Sequence, residues 1–198
     1  MLPNTMNEHF LSLNEQSNSL DYLDRSVRFL GEVNEDPMAW KWATIALHGA
    51  LYGFAVCASR GTSNLMVERR DGKLINFWKA LELCQDENCM GRYVDSQPLV
   101  LTAEEKQDIE DLVSLFRNSF EHFMPKTWLI ALTRFPKPAI TALRTIQFIA
   151  LDTGTILHRL RLDGQDRVRD LVDTGIGLVE QSSAYRELIR LETEDAED

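Results

Sequence analysis

The sequence predicts an all-α protein, a helix bundle built from a single domain over residues 1–198. Apolar residues recur at three- and four-residue spacing along most of the chain, and no alternating apolar–polar run is long enough to require a β-sheet. Two capping-box patterns, at residues 12–15 and 102–105, mark helix starts. A chain of 198 residues can bury a full hydrophobic core without disulfides or a structural metal.

Three helices are predicted in the first half of the chain. The first begins at the capping box of residues 12–15. The second begins at residues 36–37, where an aspartate N-cap precedes a proline at the first helical position, and it ends at Gly61. This second helix is apolar almost all round, which predicts the buried centre of the bundle. A shorter amphipathic helix covers residues 73–84.

Three further helical segments are predicted in the second half. The capping box at residues 102–105 opens a helix that Pro125 stops, because the residue before a proline avoids the α conformation. A closing helix follows over residues 139–160. An extra C-terminal helical segment lies within residues 167–191, with a glycine-containing break at residues 175–177.

The charge of the chain is acidic overall and unevenly distributed. The net charge is −10, from 21 basic and 31 acidic residues, which argues against indiscriminate nucleic-acid binding. Five acids fall within residues 192–198, which predicts a disordered, solvated acidic tail. Residues 112–146 instead hold one acid and five basic residues, a stretch that we call the basic island. Its basic residues are Arg117, Lys126, Arg134, Lys137 and Arg144.

Cysteine usage and hydropathy predict a cytoplasmic protein without membrane association. Cys57, Cys84 and Cys89 are odd in number and lie in or next to apolar segments, which predicts reduced thiols. The most apolar run, residues 43–58, is too short to cross a membrane. It is interrupted by His48, which we expect to be a hydrogen-bonded core histidine. Cys84 and Cys89 have no second ligand pair at zinc-site spacing, so we expect no metal and no cofactor.

The helix that begins after Thr102 carries the candidate functional residues. At about 100° per residue, it turns an apolar stripe toward the core. Asn118 and His122, four residues apart, share the opposite polar face, and Arg117 and Glu121 flank it. Spacing alone favours a solvated helix surface with an Arg117–Glu121 ion pair.

The residues of this polar face resemble a known signature. Arg117, followed directly by Asn118 and after four intervening residues by His122, resembles the motif of the HEPN superfamily. The resemblance covers residues 12–160: two long helices, the second very apolar, then the helix with the motif, then a closing helix. It implies a HEPN-like bundle and a metal-independent endoribonuclease, such as a toxin–antitoxin or defence protein, with a composite active site at a homodimer interface.

The resemblance also implies a role for each of five residues. His122 would exchange a proton with the RNA 2′-hydroxyl near neutral pH. Arg117 would hold the charge that builds on the phosphate, through its bidentate fork. Asn118 would orient the histidine or the phosphate, Glu121 would hold the arginine, and Lys126 would contact a phosphate. The implied partners are an RNA substrate, a second copy of the chain and an inhibitory protein.

Two other interpretations stay open from the sequence. Many HEPN members have lost catalysis, so the chain could be an inactive dimerisation or RNA-binding module. A helical adaptor, from a different class, would use its acidic tail to recruit a basic partner. A cleft shared by Arg117 and His122 would favour the ribonuclease over the inactive module. A covered basic island, with the tail ordered on a bound partner, would favour the adaptor.

Overall fold

The computed structural model describes residues 11–60, 64–91, 96–122, 125, 127–156, 160 and 162–197. These residues form an all-α fold, as the sequence predicts, and their only β-structure is an isolated antiparallel bridge between Glu68 and Leu74. The α-helices are α1 (Glu15–Glu32), α2 (Ala39–Arg60), α3 (Phe77–Gln85), α4 (Glu87–Met90), α5 (Ala103–Glu110), α6 (Asn118–Glu121), α7 (Pro136–Gln147), α8 (Leu162–Glu180) and α9 (Ser183–Glu197). Two π-helical segments, Asp111–Arg117 and Phe148–Asp152, follow α5 and α7 directly.

Helix α2 is the centre of the bundle, as its apolar sequence predicts. Trp40, Leu47, Leu51 and Phe54 are all almost fully buried. Helices α1, α3 and α7 pack around α2 together with the π-helical segment that follows α5. The helix is 22 residues long and apolar enough to cross a membrane, so the expectation that no run reaches that length is wrong. However, 67% of its most apolar window is buried inside the fold, as in the core helix of a soluble protein.

Helices α1 and α2 pack closely because α2 carries glycines where the two meet. A Cβ atom at Gly53 would lie 2.2 Å from Ser19 Oγ and 3.1 Å from Ser19 Cβ. A Cβ atom at Gly49 would lie 2.6 Å from the nearest ring atom of Tyr22. Ser19 is buried, and its hydroxyl donates to the carbonyl oxygen of Glu15 at 2.5 Å. The close approach therefore depends on the absence of side chains at both glycines.

We expect Gly53→Ala to lower the free energy of unfolding by about 1–3 kcal/mol, because the new methyl group overpacks the contact with Ser19. Alanine favours a helix over glycine by about 1 kcal/mol, so helix propensity alone would predict the opposite result, a more stable variant. Urea unfolding measures the difference. The matched control is Gly177→Ala in α8, where the nearest heavy atom would lie 4.0 Å away, and it should leave stability unchanged or higher. Equal stabilisation by both variants would contradict the close-packing account.

The helix starts follow the sequence predictions in part. At α5 the predicted capping box is confirmed: the Glu105 N–H donates to Thr102 Oγ1 at 3.1 Å, and the Thr102 N–H donates to Glu105 Oε2 at 2.8 Å. At α1 the N-cap is Asn14 rather than Ser12, since the Asn14 side chain accepts from the backbone N–H of Ser17 at 2.8 Å. An asparagine oxygen caps as well as a serine, and the first turn begins two residues later.

The C-terminal helices differ from the sequence prediction in two respects. Helix α8 continues through Gly175, where a Cβ would lie 3.1 Å from Leu143, so this glycine serves packing against α7 rather than a break. The break lies instead at residues 181–182, between α8 and α9. The sequence predicts a disordered acidic tail, but α9 continues to Glu197. Arg190 supports this helix by pairing with Glu194 at 2.9 Å, one turn along.

Candidate functional site

The Arg117–His122 segment departs from a continuous α-helix. The backbone becomes π-helical over Asp111–Arg117 and returns to the α form in α6, which ends at Glu121. A π-helical stretch changes the angular position of every later side chain relative to an ideal helix. His122 lies beyond the helix in an extended conformation (φ −95°, ψ 111°). The prediction that the helix continues to Pro125 and carries His122 on its polar face is therefore wrong.

The guanidinium of Arg117 is held by its two neighbours on α6. It donates to Asn118 Oδ1 at 2.9 Å and pairs with Glu121 Oε2 at 2.6 Å, so the ion pair that the spacing predicts is present. Its Nε atom is buried and has no hydrogen-bond partner within the part of the chain that the structure describes. The Arg117 side chain is 29% exposed. Arg117 is therefore fixed in place while one of its donors remains unused.

Arg117 and Glu121 line a cleft of about 340 Å³ that also borders α1 and α2, which we call the Arg117 cleft. Its walls combine polar groups from α1 and α2 with the aromatic rings of Tyr22 and Tyr52. The Tyr52 hydroxyl donates to the carbonyl oxygen of Ile75, which fixes one of these rings. The cleft is thus a small, partly aromatic pocket with a positioned arginine at its side.

His48, on α2, is the histidine that shares this cleft with Arg117. It is 9% exposed and packs against Phe77 and Tyr52, with ring centroids 5.0 and 6.3 Å away. Burial, and secondarily the positive charge of Arg117, lower the pKa of His48 to about 4, so its ring is neutral at pH 7. The sequence correctly places His48 in the core.

His122 lies at a different cavity, of about 430 Å³, which we call the His122 cavity. Its walls include Trp40, Phe120, Trp128 and Phe135, and the rings of Phe120 and Trp128 have centroids 5.5 Å apart. His122 itself is exposed. Within one chain, Arg117 and His122 therefore line two separate cavities. The single cleft shared by both residues, which would distinguish a ribonuclease from an inactive module, is not formed by one copy alone.

The basic island is largely neutralised by carboxylates from other helices. Arg134 pairs with Asp111 at 3.3 Å. Lys137 pairs with Glu192 of α9 at 2.6 Å and with Glu104 of α5 at 3.6 Å. The carboxylates that pair with these two residues all lie outside residues 112–146, so the local excess of positive charge is offset by other parts of the chain.

Lys126, the remaining predicted supporting residue, lies outside the described residues.

The three cysteines are buried thiols, as predicted: Cys57, Cys84 and Cys89. Burial raises the pKa of Cys84 to about 12, so this thiol does not ionise at neutral pH. Among the residues that the structure describes, no three His, Cys, Asp or Glu side chains lie close enough together to hold a metal ion.

Comparison with protein-family models, with curated proteins and with solved structures found no match to this chain. A functional assignment therefore depends on the residues of the Arg117–His122 segment and on the chemistry of the two cavities beside it.

Proposed function

We propose that this chain is a metal-independent endoribonuclease of HEPN type, in which Arg117 of one copy and His122 of a second copy form one active site. The observation that carries the proposal is the way in which neighbouring side chains orient the guanidinium of Arg117. Its guanidinium is oriented by Asn118 and Glu121, and its side chain remains 29% exposed at the wall of the Arg117 cleft. A pre-oriented, partly exposed arginine suits a phosphate oxygen, which the guanidinium recognises through fixed geometry.

A second copy is needed because one chain keeps the two residues apart. Arg117 and His122 line separate cavities on either side of the same short segment. A two-fold axis beside this segment would bring the same surface of each copy together, so that His122 of one meets Arg117 of the other. His122 is exposed, beyond the end of α6, and so is available to such a partner. The proposal therefore includes a symmetric homodimer.

The proposed reaction uses the RNA's own 2′-hydroxyl as nucleophile. Its oxygen forms a bond to phosphorus while the bond from phosphorus to the 5′-oxygen breaks, leaving a 2′,3′-cyclic phosphate and a 5′-hydroxyl. His122 takes the proton from the 2′-hydroxyl or gives one to the leaving oxygen. Arg117 stabilises the negative charge on the non-bridging oxygens. Asn118 and Glu121 orient Arg117, and no step requires a metal ion.

The His122 cavity suits the base next to the cleaved bond. Single-stranded RNA is bound mainly by stacking of unpaired bases on aromatic side chains. Phe120 and Trp128 are half-buried, so each keeps some ring surface open to a ligand. A base stacked there would lie beside His122. This arrangement supports RNA over a phosphorylated small molecule as the substrate class.

We expect the purified protein to cleave single-stranded RNA in the presence of a chelator, because every proposed group is a side chain. The products should carry 2′,3′-cyclic phosphate and 5′-hydroxyl ends, which end-specific enzymes and mass spectrometry detect. Light scattering at micromolar concentration should find a dimer. Loss of cleavage with chelator, or linear 3′-phosphate ends from the first turnover, would contradict the mechanism.

An inactive dimerisation or RNA-binding module is the second candidate. The ion pair with Glu121 favours it, since a phosphate must compete with a carboxylate 2.6 Å from the guanidinium. The net charge of −10 also weakens attraction for RNA. If the protein binds RNA without cleaving it, and if substitution of His122 leaves this binding unchanged, the inactive module is the correct candidate. The first candidate, the ribonuclease, predicts a toxin or defence protein that acts in the cytoplasm and is restrained by an inhibitory protein.

A further inference from the structure

Residues 127–131 form an apolar, non-helical segment beside the His122 cavity. Trp128 and Ile130 are half-buried and line the cavity, whereas their neighbours within the segment are exposed. Exposure that alternates at every residue is the pattern of a β-strand with one face against the protein body. Ala131, the last residue of the segment, has an extended backbone (φ −66°, ψ 130°). The segment therefore has the character of a strand, although it pairs with no other strand among the described residues.

The backbone of this segment keeps most of its hydrogen-bonding groups unpaired. Within the part of the chain that the structure describes, residues 127–130 make no backbone hydrogen bond. The carbonyl oxygen of Ala131 accepts from the N–H of Arg134 at 3.1 Å. A row of unpaired donors and acceptors is what an edge strand offers to another extended chain. Addition of a strand is a recurring mode of recognition in which such backbone bonds supply the affinity, so this segment fits an extended partner.

Large apolar side chains are exposed at and beside the segment. Leu129 is 95% exposed, more than any other large apolar residue that the structure describes. Met38 and Leu132, which line the His122 cavity, are 57% and 37% exposed. Two paired strands alone are marginally stable in water, so an adjoining apolar surface must contribute to a lasting contact. These three side chains supply that surface.

The distribution of charge favours a second copy of the chain as the partner. A net charge of −10 makes two copies repel each other over most of their surface. Neither residues 127–131 nor the lining of the His122 cavity includes an aspartate or a glutamate, and the lining includes Lys41. Two acidic chains can therefore meet at this place without opposing carboxylates. A contact between identical surfaces also closes on itself, which limits the assembly to two copies.

We propose that residues 127–131 pair with the same residues of a second copy as an antiparallel two-stranded β-ribbon, with Leu129 opposite Leu129. This inference rests on the proposed function, which requires a second copy, and it names the surface through which the copies meet. In this register Trp128 of one copy lies opposite the partner's Ile130, an aromatic and β-branched pair of the kind that stabilises sheets. Because opposite residues point to the same face, the two His122 cavities lie on one face of the ribbon.

Disulfide trapping in the full chain tests this register. Leu129→Cys should give a disulfide-linked dimer with oxidised glutathione, because opposite Cα atoms of an antiparallel pair lie about 4.5–5.5 Å apart, a separation that a disulfide spans. The native cysteines are buried and should not compete. Val100→Cys is the matched control, since Val100 is another apolar residue outside the helices and is 81% exposed. This control should stay unlinked over the same time.

Leu129→Glu measures the strength of the contact. The change removes two leucine side chains from the interface and sets two carboxylates opposite each other. The dissociation constant of the dimer should therefore rise at least roughly 100-fold. Val100→Glu adds the same charge elsewhere and should dimerise as the wild type does. Light scattering over a dilution series measures both variants, and a wild-type dissociation constant for Leu129→Glu would overturn the inference.

Amide hydrogen exchange of the wild type tests the backbone bonds without any variant. Amides within residues 127–131 should exchange slowly at concentrations that favour the dimer and rapidly on dilution. Rapid exchange in the dimer, or equal disulfide formation by Leu129→Cys and Val100→Cys, would overturn the inference. A dimer that is protected here and cuts no RNA would uphold the inference and overturn the proposed function. RNA cleavage by a dimer that is unprotected here would do the reverse.

Discussion

Replacing His122 with alanine should lower the rate of RNA cleavage by roughly 100- to 10,000-fold, the usual contribution of a general acid or base. The same change should alter the free energy of unfolding by no more than about 0.5 kcal/mol, because His122 is exposed and lies beyond α6. Single-turnover cleavage and urea unfolding measure the two effects. A variant that retains wild-type cleavage would remove His122 from the mechanism.

Arg117 provides the companion test. Arg117→Ala should reduce cleavage roughly 100- to 1,000-fold, as removal of a charge-stabilising donor does. Arg117→Lys should not restore the activity, because an ammonium cannot contact Asn118, Glu121 and a phosphate through one planar fork. Arg190→Ala is the matched control on the exposed α9 and should cleave as the wild type does. Full rescue by lysine would show that only the positive charge matters.

The second large effect concerns acid stability. The pKa of His48 is lowered to about 4 in the folded chain, from an ordinary value of 6.5. Above pH 6.5 the ring is neutral in both states and has no effect on the pH dependence of stability. As the pH falls below 6.5, the unfolded chain takes up a proton that the folded chain does not, so the free energy of unfolding decreases. The loss should reach about 3 kcal/mol near pH 4.

His48→Gln should remove this part of the acid dependence, since glutamine does not titrate. The charged groups that face His48 across the cleft (Arg117, Glu121 and Glu15) remain in the variant, so the difference between the two stability curves isolates the histidine. Parallel curves for His48→Gln and wild type would show that His48 is not a desolvated, neutral group.

Much of the fold could be predicted from local sequence patterns. The capping box at Thr102 and the all-round apolar sequence of α2 each specify structure within a few turns of chain, and both predictions are confirmed. Local sequence also predicts a helix break at Gly175, and this prediction is wrong. The role of Gly175 is set by Leu143, a residue on another helix, which spacing along the chain does not reveal.

The candidate site was predicted less completely, because its geometry depends on two non-local features. The π-helical segment Asp111–Arg117 displaces the residues of α6 from the positions of an ideal helical wheel. Packing of α2 against this segment brings His48 beside Arg117, although 69 positions separate them in the chain. The one available signal was a histidine within an otherwise apolar helix.

Mixing the Arg117→Ala and His122→Ala proteins tests the composite site most directly. Each homodimer lacks one essential group at both sites. A heterodimer would have one site with both groups missing and one site with Arg117 and His122 intact. After unfolding and refolding together, random pairing makes about half of the dimers heterodimers, so cleavage should recover to about one quarter of the wild-type rate. No recovery, with heterodimers verified by differently tagged copies, would contradict an active site shared between two chains.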